Sequence, residues 1–262
     1  MLSHENEEML TGGNVSNVFR SGDTVRRELK PESFKIHKLL KHLENKGFSY
    51  APNFLGIDEK GREILSFFKG EAGNYPLKEY MWSNDVLIEI AKMLRLYHDA
   101  VSDFPLTDEW KPMDNTPNKI EVVCHNDFAI YNIIFNQEKP IGIIDFDVAA
   151  PGPRLWDIAY TLYTCVPLSR VYHTETGEAL YYDPLQHAEC IKQRVKLFFE
   201  SYGKGMEVDL EMVLLRLEGL CKYMQRKASE GDSAFQKMID EGHLEHYQND
   251  IKFIREHRKE WI

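Results

Sequence analysis

Short apolar runs separated by turn residues fill most of the first 70 positions, and this pattern predicts strands. One stretch has helical spacing instead, because Ile36, Leu39 and Leu43 fall on one face of a helix. Pro31 opens this stretch and Gly47 ends it. Beyond residue 83 the apolar residues recur every three or four positions, which predicts a mainly helical region. The helices are expected over residues 83–100, 155–165, 184–202, 207–228 and 234–258.

Three short strands are expected to interrupt the helical region. Residues 122–124 form one apolar run, and residues 132–135 and 141–145 form a predicted hairpin. The character of the chain changes near Gly70. We therefore predict an α+β fold in two parts, a small sheet-rich lobe over residues 1–70 and a larger, mainly helical lobe over residues 71–262.

The composition is that of an ordinary globular protein, with 43% apolar and 28% charged residues. No apolar run approaches the length of about 20 residues that a membrane span needs. The first residues are acidic and lack a secretory hydrophobic stretch, and the four cysteines form no CxxC pair. These features predict a cytoplasmic protein with reduced thiols and no zinc site.

The net charge of -10 is unevenly distributed. Residues 1–80 hold 12 acidic and 12 basic side chains, so all ten net negative charges lie beyond residue 80. This distribution argues against a partner made of nucleic acid or anionic membrane, since both need clustered Lys and Arg. It permits a cationic small-molecule partner, although a solvated acidic surface would explain most of the charge.

Two carboxylates and one amide mark the most informative segment. Asp127 and Asn132 lie five residues apart on one loop, and Asp145 ends the returning strand of the predicted hairpin. All three can therefore converge. Asp and Asn oxygens are ligands that Mg²⁺ accepts, with nucleotide phosphates completing its coordination.

The order of these residues, HxDxxxxN followed by IDFD, is the arrangement of kinases. Asn126 stands where protein kinases have Arg, and Asp147 stands where they have Gly. With these departures the motifs resemble those of the aminoglycoside phosphotransferase and choline-kinase-like family of small-molecule kinases. Residues 12–18, 65–71 and 151–160 are similar to that family's nucleotide-covering hairpin, interlobe hinge and post-metal segment. The resemblance implies a two-lobed protein-kinase-like fold.

The same resemblance implies roles for individual residues. Asp127 would be the catalytic base, and Asn132 and Asp145 would hold Mg²⁺ against ATP. Backbone groups near Ser66 and Phe68 would bind adenine. Backbone amides of residues 13–17 would lie over the phosphates, although the glycines there could equally serve only a hairpin turn. This last group comprises Gly13, Asn14 and Ser16.

Two departures from the family affect the cation that pairs with the phosphates. The chain offers Arg26 and Arg27 instead of Lys, and only one can face the cleft because neighbouring strand residues point to opposite sides. Alignment with the family's strand favours Arg26. The acid expected on the following helix is missing, and Glu32, one turn earlier, is a candidate substitute.

For several other residues the sequence leaves two roles open. His125 is expected to hold the loop by hydrogen bonding, with Asp157 as its partner or as a helix cap. Asp147 could bind metal or substrate, or neither. A group of tyrosines could line a substrate pocket or fill the core. These are Tyr160, Tyr163, Tyr172, Tyr181 and Tyr182.

The first functional hypothesis is an ATP-dependent kinase that phosphorylates a hydroxyl group of a small molecule, such as a cationic aminoglycoside. A second is the same chemistry on choline, ethanolamine, a sugar, homoserine or a macrolide. A third is a non-catalytic nucleotide-binding or immunity-type module. The sequence is silent on oligomeric state and on ATP versus GTP.

Overall fold

The computed structural model describes residues 7–10, 18–206 and 208–262. The N-terminal part is a five-stranded antiparallel sheet with the strand order β1-β2-β3-β5-β4, accompanied by one helix. This confirms the predicted sheet-rich region with a single helix. Its elements are β1 (Glu8–Leu10), β2 (Val18–Ser21), β3 (Thr24–Glu28), α1 (Ser33–Asn45), β4 (Phe54–Ile57) and β5 (Arg62–Ser66).

The register of β3 against β5 determines which side chains meet in this sheet. Arg26 pairs with Ile64, and Arg27 pairs directly with Glu63. Residues directly opposite each other in an antiparallel pair share a face of the sheet. The register therefore places a cation and an acid side by side on one face.

Six α-helices and seven short strands follow in the described part of the chain after β5. The strands form a three-stranded sheet in the order β6-β8-β9 and two antiparallel pairs, β10 with β7 and β11 with β12. They are β6 (Glu71–Ala72), β7 (Val122–Cys124), β8 (Ile133–Asn136), β9 (Lys139–Ile143), β10 (Ala150–Gly152), β11 (Val171–His173) and β12 (Ala179–Tyr181).

The centre of the helical part is α2, whose Ile90, Leu94 and Tyr97 are fully buried. The Ser83 hydroxyl accepts a hydrogen bond from the Val86 N–H and so caps the start of this helix, as its position in the sequence predicts. The helices are α2 (Asn84–Ala100), α3 (Arg154–Cys165), α4 (Pro184–Tyr202), α5 (Glu211–Ser229), α6 (Ser233–Asp240) and α7 (His243–His257).

Two expectations for the region after residue 153 were wrong. The segment is not helical throughout, because the β11–β12 hairpin lies between α3 and α4. The long helix expected over residues 234–258 is two helices, α6 and α7. Gly242 separates them with φ 88°, a left-handed conformation that no helix continues through.

None of the helices in the described ranges is both long and apolar enough to span a bilayer. The kinase-like α+β arrangement is as expected, with a small antiparallel sheet first and a helical region after it. The lobe boundary at residue 70 stays a prediction.

Candidate active site

The loop between β7 and β8 carries the predicted catalytic Asp127. The Tyr131 hydroxyl donates to its Oδ1 at 2.6 Å, and the Asn132 side-chain amide donates to its Oδ2 at 2.6 Å. The Asn132 amide also donates to the Asp127 carbonyl at 3.0 Å. Because Nδ2 makes all these bonds, the amide oxygen of Asn132 stays available as a ligand.

Asp157, on the first turn of α3, fixes the start of this loop. Its carboxylate accepts hydrogen bonds from the backbone N–H groups of His125 and Asn126, both at 2.7 Å. His98 Nε2 donates to the same carboxylate at 3.1 Å. Burial alone would raise the pKa of Asp157, but the bonds from His98 and the loop hold it below its ordinary value. A fully buried anion thus anchors the loop.

The predicted contact between Asp157 and His125 uses the backbone of His125 rather than its ring. The ring Nδ1 accepts a bond from the Asp127 N–H at 3.2 Å. Burial lowers the pKa of His125 to about 4, so the ring is neutral at physiological pH. Its contacts are those of a residue that shapes the loop.

Asn126 adopts φ 64°, in the left-handed region that Asn tolerates better than most residues. Its side-chain amide donates to the Val148 carbonyl at 3.0 Å. Its own carbonyl accepts a bond from the guanidinium of Arg216, on α5. These contacts account for Asn at the position where protein kinases have Arg, since they hold a strained turn beside Asp127.

Asp145 lies just after β9 and also has a left-handed backbone, with φ 65°. The Ile144 N–H donates to the Asn132 carbonyl at 3.0 Å, which brings the two predicted metal ligands together. The Asp145 carboxylate is half exposed. Desolvation by the surrounding protein and the negative charges of Asp147 and Asp127 raise the pKa of Asp145 to about 6.

Arg27, rather than Arg26, faces this acidic group. Arg27 Nη1 lies 3.7 Å from Asp145 Oδ1, and its Nη2 lies 2.6 Å from Asp147 Oδ1. Arg26 instead donates to the Thr24 hydroxyl on its own strand. The structure therefore corrects the expectation that Arg26 faces the cleft. The pleat of β3 sends the two arginine side chains to opposite faces of the sheet.

The acid that holds Arg27 comes from a strand, not a helix. Glu63 on β5 is 1% exposed and pairs with Arg27, and His37 Nε2 lies 2.6 Å from its other oxygen. No ion pair joins Glu32 to Arg27 within the part of the chain that the structure describes. Glu63 and His37 together occupy the place of the missing helix acid.

Asp147 is enclosed by cations. Besides Arg27, Lys30 Nζ lies 2.7 Å from its Oδ2. The attraction of these two cations outweighs the effect of burial and holds the pKa of Asp147 below its ordinary value. Its carboxylate therefore orders two cations at the edge of the site.

The described side chains would supply some of the ligands of a magnesium ion, and the remaining ligands would come from elsewhere. Among the described residues, no three His, Cys, Asp or Glu side chains form a cluster that could hold a metal alone. Asp145 and the amide oxygen of Asn132 would supply two oxygen ligands, with nucleotide phosphates and water as the others. This matches the preference of Mg²⁺ for one or two protein ligands plus phosphate oxygens.

The predicted adenine-binding hinge is partly used by the protein itself. The Ser66 N–H donates to the Asn53 carbonyl at 3.0 Å. The Phe68 ring lies over Gly142 of β9, where a Cβ would come within 2.7 Å of it. Gly13, Asn14 and Ser16 lie outside the described residues, so their roles remain predictions.

An aromatic pocket of about 300 Å³ is lined by Tyr131, whose hydroxyl bonds to Asp127. Three of the five predicted tyrosines line it, Tyr160, Tyr163 and Tyr172. The other two do not. Tyr182 packs against Trp261 and Phe253, and Tyr181 is 62% exposed.

Two comparisons of sequence place the chain among known proteins. Residues 76–193 match the model of the phosphotransferase enzyme family. Over 205 residues the chain is 38% identical to the trifolitoxin immunity protein of Rhizobium leguminosarum bv. trifolii, covering 76% of this chain and 75% of that protein. The chain belongs to the phosphotransferase enzyme family.

Solved structures share the fold of this phosphotransferase. An amicoumacin kinase in complex with AMP-PNP and Ca²⁺ superposes with a TM-score of 0.61 at 13% identity, covering 91% of this chain and 89% of that one. A choline/ethanolamine kinase family protein from Mesorhizobium loti gives 0.59 at 14% identity, covering 97% and 94%. At such identities the likeness concerns the fold alone.

Several site residues of this phosphotransferase escaped the sequence analysis. Glu63 could have been found from its position, since an acid on the inward face of a strand needs a buried partner. His98 and Arg216 gave no local signal, because their partners lie 59 and 90 residues away in the chain. Tyr131 stood inside the motif, but only the structure shows its bond to Asp127.

The anchoring role of Asp157 leads to a stability prediction. Asp157→Asn replaces one of the two acceptor oxygens with an NH₂ group, which cannot accept a bond from a loop N–H. We expect the free energy of unfolding to fall by about 3 kcal/mol, because a buried donor is left unpaired and a buried pair is broken. Urea denaturation followed by circular dichroism measures this change.

Asp99→Asn is the matched control. Asp99 is 45% exposed and pairs with Arg95 and Arg154 near the surface. Its substitution should cost less than about 1 kcal/mol. Equal losses in the two variants would contradict an anchoring role for Asp157.

Proposed function

We propose that this protein is an ATP- and magnesium-dependent kinase that transfers the γ-phosphoryl group to a hydroxyl group of a small molecule. The observation that carries the proposal is the convergence of Asp127, Asn132 and Asp145 on two adjoining loops, in the order that phosphoryl-transfer enzymes use. Membership of the phosphotransferase family supports it.

Asp127 would act as the base for the acceptor. Burial raises its pKa, against the hydrogen bonds from Tyr131 and Asn132, so the ionised form gains basicity. The acceptor oxygen would attack the γ-phosphorus while the bond to the ADP oxygen breaks. The acceptor proton would pass to Asp127. No phospho-enzyme is needed.

Arg27 and Lys30 would receive the nucleotide phosphates. Both now contact the Asp147 carboxylate, which keeps two cations in the cleft ahead of any ligand. Glu63 restrains Arg27 from the opposite side. A Mg²⁺ ion held by Asn132 and Asp145 would neutralise part of the phosphate charge. Backbone groups near Ser66 and Phe68 would bind the base.

The acceptor is a separate question. The excess of acidic residues beyond residue 80 would favour a cationic acceptor, such as an aminoglycoside, only if those acids lined the acceptor site. The proteins with this fold include an amicoumacin kinase and a member of the choline/ethanolamine kinase family. The hydroxyl compound is identified by incubating the protein and Mg-ATP with amines, sugars and antibiotics. Mass spectrometry then detects a phosphorylated product.

A second candidate is an immunity function without catalysis. The relative at 38% identity is named an immunity protein, and Asp147 already pairs with the Arg27 guanidinium that would otherwise bind phosphate. Toxin protection that survives loss of Asp127 would favour this candidate. Toxin protection that is lost with Asp127 would indicate that immunity requires the phosphotransferase activity.

The base assignment predicts a specific kinetic result. Asp127→Asn should lower kcat by about 10²–10⁴-fold, because the acceptor proton loses its acceptor. The KM for ATP should change little, since the proposed contact is with the acceptor. Coupled detection of ADP release, in the presence of the acceptor found by the screen, measures both constants.

Asp103→Asn serves as its control, because that carboxylate is 60% exposed and its charged neighbours are His42 of α1 and Lys46 just after that helix. It should leave kcat unchanged. Full activity in Asp127→Asn would show that another group takes the proton.

Adjacent arginines on β3 provide an internal comparison for nucleotide binding. Arg27→Gln should raise the KM for ATP about 10–100-fold, because a charge-assisted phosphate contact contributes roughly 1.5–3 kcal/mol. Arg26→Gln should have little effect, since Arg26 faces away from the acidic group. Steady-state kinetics measures the KM for ATP of both variants, and thermal melting checks that both are folded. A larger effect at Arg26 would reverse the assignment.

A further inference from the structure

The aromatic pocket that Tyr131 lines has walls made of ring side chains. Trp82 and six tyrosines, among them Tyr75 and Tyr172, form most of this lining, and two histidines and several smaller residues complete it. Its volume is about 300 Å³, at the lower end for small-molecule sites. A pocket of this size accommodates a body of one or two rings.

Tyr131 connects this pocket to the proposed base. Its ring lines the pocket, while its hydroxyl lies 2.6 Å from Asp127 Oδ1 and 2.9 Å from the Tyr160 hydroxyl. A hydroxyl group on a ligand in the pocket can contact the Tyr131 hydroxyl, and it would have to displace that hydroxyl to reach the Asp127 carboxylate. The position beside that carboxylate is the one that an acceptor hydroxyl must occupy for proton transfer.

The pocket wall carries no carboxylate, ammonium or guanidinium group in the described part of the chain, since no Asp, Glu, Lys or Arg lines it there. Behind this wall the buried Asp250 accepts a bond from the Tyr163 hydroxyl at 2.8 Å and lies 3.4 Å from His246 Nε2. A polycation would find no free carboxylate along this wall.

A buried cation lies behind one wall of the pocket. The Arg216 guanidinium is 4.4 Å from the centre of the Tyr160 ring, and the residue is 2% exposed. Its Nε and Nη1 have no hydrogen-bond partner among the described residues. Its Nη2 donates to the Asn126 carbonyl, which is neutral, so no ion pair among the described residues offsets the charge. That charge disfavours a second cation on the other side of the ring.

We propose that this pocket binds the body of the phosphate acceptor, and that the acceptor is an uncharged compound bearing a hydroxyl group on an aromatic or flat apolar frame. This inference rests on the proposed kinase function, because only a kinase has a phosphate acceptor. Ring stacking supplies the affinity, because each aromatic pair contributes about 0.5–1.5 kcal/mol beyond the area it buries. The hydroxyl group then lies beside the Tyr131 hydroxyl, which it displaces to reach Asp127.

The test compares three hydroxyl compounds as binding probes without nucleotide. These are 2-(2-naphthyl)ethanol, which is neutral and aromatic, choline, which is a small cation, and kanamycin, which is a polycation. Equilibrium dialysis or ligand-observed NMR should give the naphthyl compound the lowest Kd, by tenfold or more. Tighter binding of choline or kanamycin would overturn the proposal.

Variants locate the binding. Tyr172→Ala and Tyr75→Ala remove rings from exposed edges of the pocket and should each raise the Kd of the naphthyl compound about 2–12-fold. Tyr181→Ala is the matched control, since Tyr181 is on the same hairpin as Tyr172 but is 62% exposed and outside the pocket. An unchanged Kd in both pocket variants, with native melting curves, would also overturn it.

The two proposals fail in different ways. Aromatic binding at the pocket with no phosphorylated product, for any compound of the wider screen, would remove the kinase function and leave a ring-binding site. Phosphorylation of a polycation, with no binding of the naphthyl compound, would keep the kinase function and remove the aromatic acceptor. Phosphorylation of a neutral aromatic alcohol, lost selectively in Tyr172→Ala, would support both.

Discussion

One buried carboxylate determines the geometry of the candidate site. Asp157 accepts two backbone N–H bonds at the start of the catalytic loop and a third from His98, all without contact with solvent. An ionised group in such a place is stable only while these donors remain. The left-handed turn at Asn126 follows from the same restraint, and that turn places Asp127 beside Tyr131 and Asn132.

The second constraint is electrostatic. Burial, together with the negative charges of Asp147 and Asp127, raises the pKa of Asp145 to about 6, and Arg27 and Lys30 offset part of that effect. The arrangement joins both parts of the chain, because the cations come from β3 and the residues just after it. A nucleotide with its metal would supply the charges that this cluster is arranged to balance.

Sequence reasoning succeeded where the signal is local. The motif spacing foresaw that Asp127, Asn132 and Asp145 converge, and apolar periodicity foresaw α1 to α5. It failed where distant segments meet. Choosing Arg27 over Arg26 requires the register of β3 against β5, and the pairing of Arg27 with Glu63 requires the same register. Gly242 could have been recognised as a helix break, because Gly is the residue that ends helices.

Hydrogen exchange tests the central claim, that Asp157 holds the catalytic loop in a fixed conformation. The amides of His125 and Asn126 are the reporters, since both donate to the buried carboxylate. The account predicts that in the folded protein they exchange only when the whole structure unfolds, as core amides do. Exchange at the rate of unprotected loop amides would show that the loop opens freely, and would contradict it.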